Sequence, residues 1–77
     1  THMTRNEFLD EIADLLELDR GKVSGEEKLE DLPWDSLAET SFVAVCDFSL
    51  DRTISAGELA DCRTVNDLVH LVEDALK

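Results

Sequence analysis

Ser36, in the segment Trp34-Asp35-Ser36-Leu37, joins a polar stretch to an apolar run and is the residue best placed to do chemistry. Its hydroxyl can take a covalently attached group or cap a helix. Amides in the first turn of a helix lack intrahelical partners and carry the positive end of the helix dipole. An anionic group on Ser36 therefore meets a favourable field if a helix begins there. Asp35 repels such an anion to some degree, and its more useful role is to cap the helix. Ser36 and Glu39 also stand in Ser-x-x-Glu spacing. On local grammar alone, a plain N-cap at Ser36 with Glu39 completing a capping box is the stronger reading.

Other reactive constellations are missing from the sequence. No His lies near a candidate nucleophile, no Gly-rich phosphate loop is present, and no Cys or His pair has metal-ligand spacing. Asp47, Asp51 and their neighbours lack the alternating oxygen ligands around a central Gly that a calcium loop needs. No catalytic or metal site is therefore expected. Cys46 sits inside an apolar run and Cys62 just before another, so both read as small hydrophobes rather than a disulfide pair.

Charge narrows the partners. Nineteen acidic against seven basic residues give a net charge of −12 and a pI near 4.2. Nucleic acid binding needs clustered Lys and Arg, and an anionic membrane surface repels such a chain, so basic protein surfaces are the natural partners. No signal peptide, transit sequence or apolar run long enough to cross a bilayer is evident, which makes a reducing cytoplasm the expected compartment. Thr1-His2-Met3 reads as a remnant of tag removal. That leaves residues 4–77 as one domain, with His2 not counted as a ligand.

The elements that must position Ser36 follow from periodicity. A domain of 77 residues buries only about 60% of its unfolded surface, and with three Phe, one Trp and no Tyr its thin core falls mainly to Leu and Val. Phe8, Ile12, Leu15 and Leu16 recur at helical spacing among acids, predicting a first helix from Thr4 to about Asp19. The stretch to Trp34 reads as a long loop pinned by Val23, Leu29 and Leu32, with Ser24 and Glu27 capping a single turn. A second helix is predicted from Asp35 or Ser36 to about Ser49, with Leu37, Phe42, Val45 and Phe48 as its buried stripe. Val43, Ala44 and Cys46 broaden that apolar coverage, so this helix is either the most central or keeps an apolar face for a ligand or partner. Ser55-x-x-Glu58 boxes a short third helix over about Ala56–Asp61. Thr64 caps a fourth, patterned by Val65, Leu68, Val69, Val72 and Leu76, with His70 off its apolar face.

Asp35-Ser36-Leu37 at the entry to the second helix, in this helix order and in a small acidic chain, resembles the acyl carrier protein family. The likeness runs from Thr4 to the end, including Arg63-Thr64-Val65-Asn66-Asp67-Leu68, which looks like that family's entry to helix four. The resemblance implies an all-α, four-helix bundle of acyl-carrier type with a long first loop and a short third helix. It implies that Ser36 carries 4′-phosphopantetheine, taken from coenzyme A by a phosphopantetheinyl transferase that uses Mg2+ and basic residues. It further implies acyl-loading and acyl-processing enzymes with basic docking surfaces as partners of a monomeric, non-catalytic carrier. Asp35, Leu37, Glu39 and Asp47 are the expected recognition residues, with Leu37 packing inward to set the angle of Ser36. Trp34, Phe42, Val45, Cys46, Ile54, Leu59 and Leu68 are candidates to touch the arm or its cargo, or to be ordinary core.

Two departures from that family are visible. Pro33-Trp34 precede the triplet where family members often have a small residue, and Trp34 reads as a plug over the loop-helix junction. After Glu39 the second helix offers only Asp47 before Asp51, with Thr40, Ser41 and Ala44 between. A thinner acidic stripe shifts recognition towards shape and apolar contact, because charge chiefly sets encounter rate and specificity. The expectation is a carrier for a dedicated polyketide, lipid or polysaccharide-modifying pathway. The alternatives are a D-alanyl or peptidyl carrier, the latter usually marked by a Gly-Gly-x-Ser motif absent here, or an unmodified acidic helical adaptor.

Overall fold

The computed structural model describes residues 3–77, which form four α-helices without a strand. The reading of Thr1 and His2 as a remnant lies outside the described residues. Met3, grouped with them in the sequence reading, is buried: it forms a parallel backbone bridge with Leu76, and its carbonyl accepts from Lys77 N at 2.9 Å.

Helix α1 spans Arg5–Leu15 and begins with a capping box, in which Thr4 Oγ1 accepts from Glu7 N while Glu7 Oε1 accepts from Thr4 N. The helix ends four residues before the predicted stop. Glu17 takes a left-handed φ of 61°, Glu17 N donates to Asp14 O, and Leu18 N donates to Ala13 O. That is a Schellman closure with Glu where Gly is usual, which hid the stop from the sequence reading. Leu18 folds back to pack against the core. The buried stripe also turns slightly, towards Leu9 and Ala13, leaving Leu15 half-buried.

The loop from Leu16 to Asp35 contains one 3₁₀ turn at Leu29–Asp31. Val23 and Leu29 are buried and Leu32 is half-buried, as the apolar pins require. Backbone bonds add what periodicity does not reveal. Asn66 N donates to Gly25 O, Val65 N to Glu27 O and Leu29 N to Arg63 O, so the loop is stitched to the entry of the last helix. Gly25 is buried with φ +117°, and a Cβ there would collide with Asn66 Oδ1. The close approach of the two segments requires glycine at that position. Ser24 and Glu27 bond to each other through the Ser24 N and Oγ groups without starting a helix.

Helix α2 runs Ser36–Leu50. Helix α3 covers Ala56–Ala60 and opens with the expected capping box on Ser55/Glu58, and α4 covers Val65–His70, where the expected Thr64 cap is completed into a box by Asp67. The fourth helix is shorter than predicted. After His70 the bonds tighten to i−3, with Leu71 N on Leu68 O and Val72 N on Val69 O. A 3₁₀ turn at Glu73–Ala75 follows, which brings Leu76 to Met3.

Phe8, Ile12, Phe42, Cys46, Val65, Leu68 and Val72 are fully enclosed, and no polar or charged residue is buried among the described residues. Phe42 lies at the middle of this core, edge-on to Phe8 at 5.7 Å and to Trp34 at 5.8 Å between ring centroids. No helix among the described residues is long and apolar enough to cross a membrane.

Candidate functional site

The N-cap of α2 is Asp35, not Ser36. Asp35 has extended backbone dihedrals, and its Oδ1 accepts from Ala38 N at 2.9 Å. Ser36 is the first helical residue and is exposed. The capping box allowed by Ser36 and Glu39 does not form, since Glu39 N pairs with the Asp35 backbone carbonyl. The Ser36 hydroxyl is not spent on the helix end. Its carbonyl accepts from Thr40 Oγ1 at 2.9 Å, which fastens the first turn from the outside.

Two hollows flank this turn. A cleft of about 330 Å3 is lined by Ser36, Glu39, Thr40 and Val43 of α2 and by Ala56 and Leu59 of α3. On the other side a second hollow of about 330 Å3 lies between the end of α1, with Asp14 and Glu17, and the start of α2, with Asp35, Leu37 and Ser41. Ser36, Glu39, Thr40 and Val43 share one flank by their three- and four-residue spacing. That spacing was available to find Thr40 and Val43, which the sequence reading did not place at the site. Ala56 reaches it only through the packing of α3.

The other expected site residues separate into three groups. Phe42, Cys46 and Leu68 are enclosed core with no opening to the cleft, Ile54 is buried at its edge, and Val45 is half-buried against it. Leu59 both packs in the core and lines the cleft. Trp34 is half-buried with its ring edge against Phe42, so it plugs the loop-helix junction. Asp35 and Asp47 are exposed, and Glu39 is half-buried beside Ser36.

Leu37 and Phe48 contradict the reading that buries them, being 75% and 92% exposed. The buried stripe of α2 is Ala38, Phe42, Cys46 and Leu50, and a residue one position before Ala38 points well away from it. Leu37 therefore does not fix the angle of Ser36. Asp35 does, through the cap.

Neither cysteine thiol is lowered towards the thiolate. Burial pushes the Cys46 thiol up to about 12. Cys62 is raised by burial and then by the charges of Asp67, Asp61 and Glu58, and its Sγ donates to Glu58 O. His70 is exposed on Glu73 at 2.7 Å, away from Ser36 and its cleft. Among the described residues no group of His, Cys, Asp and Glu has the arrangement to hold a metal ion.

The arrangement at Ser36 can hold an anion and present whatever it carries. It offers an exposed hydroxyl at a helix start and an open cleft beside it, and among the described residues no His or Lys lines that cleft. No protein-family model, no curated protein and no solved structure matches the chain.

Proposed function

We propose that the protein is an acyl carrier whose Ser36 bears 4′-phosphopantetheine and whose four helices form a bundle of acyl-carrier type. The observation that carries this reading is the division of labour at the start of α2. Asp35 caps the helix, and the hydroxyl one residue later is exposed and uncommitted. A structural capping serine would be spent on Ala38 N or Glu39 N, and this one is not. Among the described residues no hydrogen bond joins the Ser36 hydroxyl to a base, which fits modification by a separate enzyme, because a hydroxyl without an activating partner is a weak nucleophile.

The residues present fit the group. First-turn amides at the start of α2 favour its phosphodiester, and the cleft between α2 and α3 offers Val43 and Leu59 to apolar cargo and Thr40 to polar atoms of the arm. When bound, the arm supplies a terminal thiol that holds an acyl group as a thioester. Ser36 is then the covalent anchor, Asp35 holds the first turn in place, and Glu39 gives the mouth of the cleft a negative side. In the modification, Ser36 Oγ replaces adenosine 3′,5′-bisphosphate on phosphorus of coenzyme A and gives up its proton to the transferase. The sparse acids between Glu39 and Asp47 support a carrier for a dedicated polyketide, lipid or polysaccharide-modifying pathway.

The test is to incubate the chain with coenzyme A, Mg2+ and a promiscuous phosphopantetheinyl transferase and to compare intact masses. Wild type is expected to gain one phosphopantetheinyl group and Ser36→Ala none. No gain on a folded wild type sinks the proposal and leaves the unmodified adaptor. Gain on both proteins moves the attachment to Ser41, Ser49 or Ser55. If the wild type is modified, loading of the holo form with acyl against D-alanyl or aminoacyl groups separates an acyl carrier from its D-alanyl and peptidyl relatives.

A further inference from the structure

A third hollow, of about 460 Å3, is lined by Lys28, Leu29 and Glu30 of the first loop and by Cys62, Arg63 and Thr64 at the entry to α4. Its two walls are tied together, since Leu29 N donates to Arg63 O at 2.8 Å and Lys28 forms an antiparallel bridge with Thr64. Leu29, buried, and Cys62, half-buried, give it apolar surface. Its charge sets it apart. The hollows beside Ser36 are lined by Glu39 on one side and by Asp14, Glu17 and Asp35 on the other, with no Lys or Arg, whereas this one has two cations. Elsewhere Arg5, Arg20 and Arg52 are bonded to Asn66, Asp14 and Asp74. The side chains of Lys28 and Arg63 have no partner among the described residues, although acids stand close by. Asp67 spends its carboxylate on the backbone amides of Arg63 and Thr64, and Glu58 spends its own on Ser55. The guanidinium and the ammonium are left over.

We propose that this hollow receives a free carboxylate, the far end of a dicarboxylic acyl group held through its other carboxyl on the arm at Ser36. The proposal rests on the carrier reading and adds to it the class of cargo. Lys28 and Arg63 meet the carboxylate, while Leu29 and Cys62 lie along the carbon chain. A methyl-ended group of the same length leaves both cations without a partner.

The surrounding charges require that the anion be tethered. Glu30 shares the lining, and Asp67, Asp61 and Glu58 act on Cys62 from nearby. A free anion approaching a chain of net charge −12 meets repulsion that offsets the two cations. A short flexible tether holds its end at about millimolar effective concentration, which fills a weak site. Position allows the tether. Glu30 stands six residues before Ser36, so their Cα atoms are at most ~22 Å apart. Leu59 lines the cleft beside Ser36, and Cys62, whose amide donates to Leu59 O, lines the hollow. The two spaces therefore flank the last turn of α3.

The probes are glutaryl and valeryl groups, equal in carbon number, carried by coenzyme A as amide analogues that resist hydrolysis. A promiscuous phosphopantetheinyl transferase attaches each to the isotope-labelled chain, intact mass confirms the product, and amide shifts of the two products are compared. The spectra are expected to differ at residues 28–30 and 62–64. A variant carrying Lys28→Gln and Arg63→Gln should lose most of that difference, and Lys22→Gln, which removes a cation outside the hollow, should keep it. High salt should shrink the difference in the wild type. Both substituted side chains are exposed, so the double variant should melt as wild type does. Identical spectra at these residues, a difference that persists in the double variant, or an equal loss in Lys22→Gln overturns the proposal. Mass gain with identical spectra overturns this proposal alone, whereas no mass gain overturns the carrier reading and this proposal with it.

Discussion

Three of the four helices begin in one way and α2 begins in another. At α1, α3 and α4 a Thr or Ser hydroxyl accepts from the amide three residues on, and a Glu or Asp carboxylate reaches back to the cap amide. Each hydroxyl is committed to the fold. At α2 an Asp makes the cap with no return bond, and the serine stands one position inside the helix with its oxygen left over. The same helix differs on its flank, leaving Leu37 and Phe48 outside while every other large apolar side chain among the described residues is at least partly covered. Where stability alone decides, polar groups are paired and apolar groups are hidden. α2 does neither completely, which is why the candidate site belongs there.

The largest effect that can break this contrast lies in the two Phe residues on opposite faces of α2. Phe42→Ala removes the ring between Phe8 and Trp34 and should cost about 3–5 kcal/mol, enough to unfold much of a domain this small. Phe48→Ala should stay within about 0.5 kcal/mol, as surface changes do. Chemical denaturation of both variants checks this, and comparable losses would mean that Phe48 is packed after all.

Next comes the series of caps. Thr64→Ala and Asp35→Ala each remove an N-cap and should cost about 1 kcal/mol. Ser36→Ala removes no cap and should lie within about 0.5 kcal/mol of wild type. Equal destabilisation by Ser36→Ala and Asp35→Ala would show the hydroxyl to be structural and remove the main support for the carrier reading.

The smallest effect is in acid. The backbone amide of Thr4, then its hydroxyl, hold Glu7 below the ordinary carboxylate range, and the amides of Arg63 and Thr64 do the same for Asp67. A carboxyl with a lower pKa folded than unfolded binds fewer protons when folded. Its stabilisation is therefore present above the unfolded value, about 4, and is lost as pH falls through the folded value. Relief of the −12 net charge acts against this loss. Melting temperatures followed into acid should fall less for a variant carrying Glu7→Gln and Asp67→Asn than for wild type. Parallel acid limbs would show that the boxes of α1 and α4 do not titrate with folding.

Much of the frame was legible because it rests on local rules. Ser55/Glu58 announces its helix by spacing and Thr64 its own as a capping residue, Phe42 and Leu68 announce burial by period, and the start of α2 was placed within one residue. The errors came where local rules have two answers. Glu17 at positive φ ends α1 without the glycine that normally signals it, and the i−3 tightening after His70 accompanies a bridge between Leu76 and Met3, a contact distant in sequence. Leu37 and Phe48 were assigned to the core because an apolar residue in a helix has no local mark saying which face is covered.

The sequence by itself determined a small acidic chain of four helices, the order and starts of those helices, and a serine at the head of the second. Those follow from composition, period and capping chemistry, which act over a few residues. Only the tertiary structure decided that Asp35 takes the cap and frees Ser36. It also decided that Val43 and Leu59 meet across a cleft beside Ser36, and that the core takes the Ala38–Phe42–Cys46–Leu50 side of α2. A helix with apolar residues on two faces can bury either one, and the choice is made by residues such as Phe8 that arrive from α1.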